Sequence, residues 1–302
     1  MSSAFTFPCI DNKHDVTVVG SPIEDGVIEK IKKDNYHDGL NCKLSDKITF
    51  FKSEKLKKVI NDNIDIIVVG VNSRGIGWVT EELNSLDTKI PTLLLTKGLT
   101  VKNDKFQVLT ELFKNPNITC VAGPCLAKDL SKRYKTGVVY TSKNISLAEK
   151  LGKLVKTNYY FMDFSSDLIG VEMCAAIKNF YSMVIGSSND LNTAAILMQK
   201  SVLEMGNFIK LFGGLEKTVY GLAGLGDLYV SIAGGRNRKM GQYLGDGYKY
   251  SDAKSKEIVD SLNVDAVLVA TGRVPNSKNL NLESVGIKVK KGYIPIDHKM
   301  RV

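Results

Sequence analysis

The 302-residue sequence has few residues of the kinds that bind metals or form disulfides. Its three histidines and five cysteines include no C-x-x-C pair and no grouping with metal-ligand spacing, so no metal site is expected. An odd, scattered set of cysteines in a chain of this length indicates a reducing cytosol rather than a disulfide framework. We therefore expect a cytoplasmic protein.

The sequence also lacks long runs of one charge and long uncharged apolar runs. The net charge is +9, but the basic residues fall in short pairs such as Lys32-Lys33 and Lys57-Lys58, without the dense basic stripe of a nucleic-acid surface. No signal peptide is evident, and the most apolar stretch, residues 168–186, contains Glu172 and Lys178. These features argue against a nucleic-acid partner and a membrane span. An attraction for anionic small molecules stays open.

Short apolar runs alternate with amphipathic segments in the first half of the chain. The runs occupy residues 15–20, 64–71, 91–96, 118–123 and 136–142, with 159–164 as a last candidate. Near-continuous apolar runs are typical of strands buried on both faces of a parallel sheet. The amphipathic segments between them include residues 79–83, 108–113 and 147–155. This alternation predicts an α/β, doubly wound domain over residues 1–164.

From about Ser166 onward the pattern becomes helical. Residues 166–188 form a long segment that is apolar on nearly every side, with Ser166 or Asp167 placed to cap its start. Residues 192–214 form a second such segment, closed by Gly213-Gly214. Because helices that are apolar on every side are buried ones, we predict a helical domain over residues 165–250 that packs on the sheet domain.

Isolated charged residues within these segments indicate chemistry. Lys97 directly follows a predicted strand, where ligands of doubly wound sheets bind; the alternative is a surface lysine in a loop. Lys178 lies among apolar residues, so it either reaches solvent along its stem or has a partner. Asp227 is an equally isolated carboxylate, and Arg236-Asn237 follows Gly234-Gly235, a pattern suited to phosphate or carboxylate. Together they predict a site for an anionic carbonyl compound.

Five motifs, in order along the chain, resemble one enzyme family. LLLTKGL, VAGPCLAKDL, GVEMCAAIKNFYSMVIG, NTAAILMQKSVLEM and VYGLAGLGDLYVSIAGGRNRKMGQYLGDG look like NAD(P)-dependent glycerol-3-phosphate dehydrogenase over roughly residues 1–250. The resemblance implies a Rossmann-type sheet domain, an all-helical substrate domain and NAD or NADP as cofactor. It further implies hydride transfer between NAD(P)H and dihydroxyacetone phosphate to give sn-glycerol 3-phosphate. It leaves a homodimer open.

The same resemblance implies roles for individual residues. Lys178 would donate and accept the proton at the substrate carbonyl, and Asp227 would hold and orient it. The implied substrate-binding residues are Lys97, Gly123, Cys125, Asp227, Gly235, Arg236 and Asn237, and the implied cofactor-binding residues are Lys97, Ala127 and Arg236. Cys125 stands where the family usually has serine, and Ser231 stands where some relatives have threonine.

The start of the chain departs from the family pattern. MSSAFTFPC resembles the helix that follows the G-x-G-x-x-G fingerprint, with Ser2 in the place of the last glycine. We therefore expect an incomplete sheet without its first strand and without the glycines that let the backbone approach a pyrophosphate. Gly20 and Ser21 lie where an acidic ribose ligand is usual, with Glu24 further on, so NAD and NADP are not separated.

Residues 264–302 resemble a different family. VLVATGRVPN and GYIPIDHKMR are similar to dihydrolipoamide dehydrogenase and related flavin disulfide reductases, which implies a short β-rich tail over residues 251–302. We expect a junction of two genes between Gly247 and Asn263. No redox disulfide or flavin fingerprint accompanies the tail, so no flavoprotein function is expected. Two hypotheses remain for the chain: a glycerol-3-phosphate dehydrogenase, or a non-catalytic remnant or fusion fragment with at most weak nucleotide or phosphate binding.

Overall fold

The computed structural model describes residues 1–61, 63–102 and 105–248, which fall in one compact unit. The helices are α1 (Ser2–Asp11), α2 (Asp25–Asp34), α3 (Leu56–Val59), α4 (Ser73–Ser85), α5 (Ala127–Ser131), α6 (Ile145–Leu154), α7 (Leu168–Gly186), α8 (Leu191–Leu211), α9 (Asp227–Gly234) and α10 (Arg236–Gly245). The strands are β1 (Thr17–Val19), β2 (Tyr36–His37), β3 (Cys42–Lys43), β4 (Thr49–Phe51), β5 (Ile67–Val69), β6 (Thr92–Leu94), β7 (Leu99–Lys102), β8 (Lys105–Val108), β9 (Ile118–Ala122), β10 (Thr136–Thr141) and β11 (Tyr160–Ser165). The predicted tail, residues 251–302, lies outside the described residues.

Five strands form the main sheet, in the order β11-β10-β9-β6-β5. The pairings are parallel except for the one between β9 and β10, which is antiparallel. The predicted parallel sheet is therefore confirmed for all but this pairing. The connection between these two strands, residues 123–135, contains only the 5-residue helix α5.

Strands β1 and β4 form a separate parallel pair, with Thr17 opposite Thr49 and Val19 opposite Phe51. Among the described strands, neither hydrogen-bonds to the five-stranded sheet. The sequence pattern predicted β1 but not β4, nor the hairpins β2–β3 and β7–β8. These strands have two to four residues each, too few to establish an alternating pattern.

Helix α1 packs against the sheet through Ala4 and Phe5, which lie in its main hydrophobic core. The predicted helix at the start of the chain is thus confirmed. Its carboxyl end is held by Arg133, whose Nε and Nη2 donate to the Asp11 carboxylate at 2.7 and 2.8 Å. The hydroxyl of Tyr159 donates to the same carboxylate. These contacts fix α1 to the segment that follows α5.

Helix α7 is the centre of the helical part of the fold. The Asp167 side chain caps its start by accepting from the backbone N–H of Gly170 at 3.0 Å, as one of the two predicted caps. Val171, Cys174 and Ile177 of α7 share a core with Ala122 and Val139 of the sheet. The predicted packing of helices on the sheet is therefore confirmed.

Helix α8 differs from the prediction that it is buried on every side. It ends before Gly213, which has a positive φ of 83°, as the glycine pair predicted. Its buried residues, however, are few, and Leu191, Ile196 and Leu211 are 85%, 60% and 81% exposed. The helix packs on α7 along one side. Within the described residues nothing covers its other apolar side.

Helix α7 alone among the described helices has the length and mean hydropathy (1.4) of a membrane span. In this fold 61% of that window is buried within the protein. Core helices pass the same test of length and composition, and this one also carries Glu172 and Lys178. Its position favours a core helix, as the sequence predicted.

Candidate active site

Lys97 lies at the carboxyl end of β6, where the chain leaves the sheet. The preceding Thr96 fixes this exit by donating its hydroxyl to the carbonyl oxygen of Val71 at 2.7 Å. The Nζ of Lys97 donates to the carbonyl oxygen of Gly123 at 3.0 Å and to Oδ2 of Asp227 at 2.8 Å. Lys97 is therefore not a loose surface lysine, which was the alternative interpretation of the sequence.

Lys178 reaches the same carboxylate from the middle of α7. It is only 9% exposed, and its Nζ donates to Oδ1 of Asp227. Of the two alternatives for this lysine, solvent or a partner, the structure therefore shows the partner, as the cost of burying an unpaired ammonium requires. Burial, together with the nearby charge of Lys97, lowers the pKa of Lys178 to about 8.

Asp227 is 2% exposed and begins helix α9. It is delivered by a π-helical turn, Leu222–Gly226, a local geometry that occurs often at functional sites. A Cβ at Gly226 would lie 3.6 Å from Pro124, so this turn contacts the loop that follows β9. The Gly-rich stretch before Asp227 thus allows helix α9 to start close to the loop that follows β9 and to the segment that carries Lys97.

Two ammonium groups around one carboxylate leave one surplus positive charge. Burial opposes the charged form of Lys97, but the Asp227 carboxylate outweighs it and the pKa of Lys97 lies above its usual value. The pKa of Lys178 moves the other way. Consequently Lys97 stays a fixed cation, while Lys178 can give up its proton near neutral pH. A buried lysine with this property is suited to acid–base chemistry.

The loop after β9 places Gly123, Cys125 and Ala127 at the edge of this cluster. Gly123 has φ of +134°, and a Cβ there would lie 2.9 Å from Cα of Val138, so the position requires glycine. Burial raises the pKa of Cys125 to about 11, and the Lys97 charge acts against this rise. Cys125 therefore lies near Lys97 as a neutral thiol. Ala127 begins α5 and packs against the sheet core.

Helix α10 brings one further predicted residue, Asn237, into contact with α7. Gly235 precedes α10, Arg236 is its first residue, and the side-chain amide of Asn237 donates to Oδ1 of Asn179 at 2.7 Å. Asn179 follows Lys178 directly in α7. The sequence analysis missed Asn179, although its place beside the lysine in IKNF was a usable signal.

A close helix crossing makes that contact geometrically possible. A Cβ at Gly241 would lie 2.1 Å from the carbonyl oxygen of Met183, and one at Gly186 would lie 2.4 Å from that of Arg238. The backbones of α7 and α10 are thus in direct contact.

Among the described residues no group of histidine, cysteine, aspartate or glutamate could hold a metal ion.

The start of α1 lies beside the segment that follows β5, at the carboxyl edge of the sheet. The hydroxyl of Ser2, at the start of α1, donates to the carbonyl oxygen of Gly70 after β5 at 2.7 Å, so the N-terminus of α1 lies at that edge. No side chain caps this helix end, which leaves its N–H groups available to a phosphate. After β1, Glu24 accepts from the N–H of Ser21 at 3.1 Å. Lys97 and Gly123 complete the same edge.

The sheet with the loops at its carboxyl edge and the helical part that supplies Lys178 and Asp227 form a two-part α/β architecture, in which ligands bind beyond the carboxyl ends of the strands. Two family models match the chain. The model of the NAD-dependent glycerol-3-phosphate dehydrogenase N-terminus matches residues 3–148, and the model of the C-terminus matches residues 167–281. The chain belongs to the NAD-dependent glycerol-3-phosphate dehydrogenase family. The C-terminal match overlaps the start of residues 264–302, whose resemblance to flavin disulfide reductases these comparisons do not support.

Individual relatives agree with this family assignment. The chain is 30% identical over 286 residues to a glycerol-3-phosphate dehydrogenase [NAD(P)+] of Fusobacterium nucleatum, covering 90% of this chain and 83% of the relative. It is 28% identical to an NADP(+)-dependent glycerol-3-phosphate dehydrogenase of Archaeoglobus fulgidus, covering 84% and 79%. The glycerol-3-phosphate dehydrogenase structure from Coxiella burnetii has the same fold, with a TM-score of 0.75 at 24% identity, covering 83% of this chain and 79% of that one.

Proposed function

We propose that this chain reduces dihydroxyacetone phosphate to sn-glycerol 3-phosphate with NADH or NADPH, or catalyses the reverse reaction. The observation that carries the proposal is the buried cluster in which Lys97 and Lys178 share the Asp227 carboxylate. Family membership supports the same activity.

Lys178 is the proposed proton donor. A nicotinamide, when bound, would supply the hydride for the carbonyl carbon. Lys178 gives a proton to the carbonyl oxygen as negative charge develops there. The product is the secondary alcohol, and Lys178 regains its proton from solvent. A pKa of about 8 suits both donation and uptake near neutral pH. Asp227 keeps the ammonium of Lys178 in place throughout.

The substrate phosphate is proposed to bind at the start of α10. Arg236 supplies a guanidinium, Asn237 a side-chain amide, and Gly235 a backbone approach at a helix N-terminus. Asn179, which accepts from Asn237 at 2.7 Å, would orient that amide. The surplus positive charge of the lysine cluster favours the same anionic substrate.

The cofactor-binding residues are proposed to be Lys97, Ala127 and Arg236, with Gly123 and Cys125 lining the substrate side. All lie at, or next to, the carboxyl edge of the sheet or the start of α10. The N–H groups at the start of α1 are available for the pyrophosphate. The choice between NAD and NADP is left to measurement.

Further assignments extend the proposal to the whole chain. We place the nucleotide domain in residues 1–164 and the substrate domain in residues 165–250. A cytoplasmic location is proposed because five scattered cysteines suit a reducing compartment. A homodimer, and a tail over residues 251–302 derived from a flavin disulfide reductase, are the remaining proposals.

Comparing two substrates tests the function. The purified chain is assayed for oxidation of NADH, and then of NADPH, with dihydroxyacetone phosphate and with unphosphorylated dihydroxyacetone. We expect turnover that depends on the phosphate and a raised KM in Arg236→Ala. The control is Lys150→Ala, which removes an exposed positive charge from helix α6. Absence of turnover with either cofactor would contradict the proposal and favour a non-catalytic remnant.

A further inference from the structure

A second ionisable side chain is buried in α7, close to the start of that helix. Glu172 is 3% exposed. Its carboxylate accepts hydrogen bonds from the backbone N–H of Thr110 at 3.2 Å and from the Thr110 hydroxyl, and the N–H of Leu109 is a further donor. These donors are all neutral groups of one 3₁₀ turn, Leu109–Leu112. Glu172 thus caps that turn from another helix.

The turn held by Glu172 lies beside Lys97. It follows the hairpin β7–β8, which begins directly after Lys97-Gly98. A Cβ built at Gly98 would lie 3.7 Å from Cδ1 of Leu109, so the turn packs on the backbone that carries Lys97. Leu109 and Thr110 are themselves buried, at 1% and 3% exposure. Glu172 therefore links the Lys97 segment to the helix that carries Lys178.

Burying the Glu172 carboxyl costs free energy of desolvation, so packing alone does not explain why a carboxyl is found at this position. Burial raises the pKa of Glu172 to about 7, against the hydrogen bonds from Thr110 and Leu109, and the Glu111 charge raises it further. Cys120 of β9 is near enough for its pKa to be affected by Glu172. An apolar residue would avoid this desolvation cost. Ionisable groups kept in such surroundings are typical of functional sites.

We propose that Glu172 is a positioning residue for the Lys97–Asp227–Lys178 cluster. Its ionised carboxylate holds the Lys97 segment against α7, so that both lysines reach Asp227. Protonation would remove the negative charge that strengthens the hydrogen bonds from Thr110 and Leu109, so the link would loosen although the desolvation cost of the charge is relieved. The inference rests on the proposed roles of the two lysines and adds a residue that touches neither substrate nor cofactor.

Kinetics of three variants test this role. Glu172→Gln keeps the size but turns an amide NH₂ toward the donors of Thr110. We expect kcat to fall roughly ten- to a hundredfold with KM nearly unchanged, and the acid limb of the pH profile to disappear. Thr110→Val should reproduce the loss, and Thr110→Ser should restore activity. Glu111→Gln, the same change at an exposed position of the same turn, should behave as wild type.

Amine labelling supplies a readout that needs no turnover. A small amine reagent is applied to the wild type and Glu172→Gln, and labelling of each lysine is followed by mass spectrometry. We expect Lys97 to label several-fold faster in the variant, because it leaves Asp227, while the exposed Lys150 is unchanged. Equal labelling of Lys97, or a lower melting temperature with an unaltered pH profile, would overturn the inference. A wild type without turnover would instead contradict the proposed function. The labelling of Lys97 would still test whether Glu172 positions it.

Discussion

Lys97 and Lys178 bind different oxygens of one buried carboxylate, that of Asp227. One ammonium comes from the end of strand β6 and the other from the middle of helix α7. The carboxylate itself is delivered by a π-helical turn that belongs to neither. The cluster forms only when the sheet and the helical part are packed together, so catalysis and tertiary packing depend on the same contacts.

Asp227→Asn removes the charge that both lysines share. Two buried ammonium groups then face each other without a counterion, which we expect to lower stability by roughly 3 kcal/mol or more and kcat by about 10²-fold or more. Urea unfolding and steady-state kinetics measure the two effects. Asp246→Asn, at an exposed position at the end of α10, is the matched control. Wild-type turnover in Asp227→Asn would show that the shared carboxylate is dispensable.

The pH dependence should have opposite signs in the two reaction directions. Reduction needs protonated Lys178, so its kcat/KM should fall as the pH rises through about 8, on the basic side of the acid limb that Glu172 is proposed to produce. Oxidation needs the neutral amine, so its kcat/KM should rise over the same range. Both profiles are measured with saturating cofactor. Basic limbs of the same sign in both directions would exclude Lys178 as the titrating group.

Gly241→Ala should separate substrate binding from the chemical step. The added Cβ would lie 2.1 Å from the carbonyl oxygen of Met183, so α10 must move away from α7. We expect a loss of about 1–3 kcal/mol of stability and a larger effect on the KM for dihydroxyacetone phosphate than on kcat. Gly77→Ala, in helix α4, is the control, because its Cβ would meet no atom within 4 Å. Identical kinetics in both variants would refute this role for the helix crossing.

Glu172 should make stability fall as the pH rises. Its pKa is about 7 in the folded chain against 4.5 for an exposed carboxyl. Between these values the folded state keeps a proton that the unfolded state has lost, so the free energy of unfolding decreases by roughly 3 kcal/mol across the window. Urea unfolding at several pH values should show this decrease in Glu111→Gln but not in Glu172→Gln. If the free energy of unfolding changed with pH in the same way in both variants, Glu172 would not be the group that retains the proton.

The spacing of apolar residues predicted the helices and strands that are long enough to show a repeating pattern. Helices α7 and α8, and the strands of the main sheet, lie within a few residues of their predicted positions. The segment at residues 108–113 was predicted as amphipathic but contains only a 3₁₀ turn, Leu109–Leu112. The exposure of Leu191 and Leu211 was also not predictable, since it depends on what covers α8 rather than on the helix itself.

The sequence predicted individual residues of the candidate site but not the contacts between them. Isolated charges in apolar segments identified Lys178 and Asp227. The position after a predicted strand identified Lys97, and the preceding glycine pair identified Arg236, while the motif resemblance added their roles. That the two lysines share one carboxylate depends on the packing of α7 against the sheet, which no local pattern encodes. Glu172 was noted only as a charge in an apolar helix. Its capping of a turn remote in sequence became visible in the structure alone.

The most direct test of the account is the turnover of Lys178→Met, which keeps most of the side-chain length and removes the proton donor. Dihydroxyacetone-phosphate-dependent oxidation of NADH and NADPH is measured beside the wild type and a Lys150→Met control at an exposed position. We predict activity in the wild type and the control, and a loss of about 10²–10⁴-fold in kcat for Lys178→Met with cofactor binding retained. Turnover of Lys178→Met within a few-fold of the wild type would contradict the central claim.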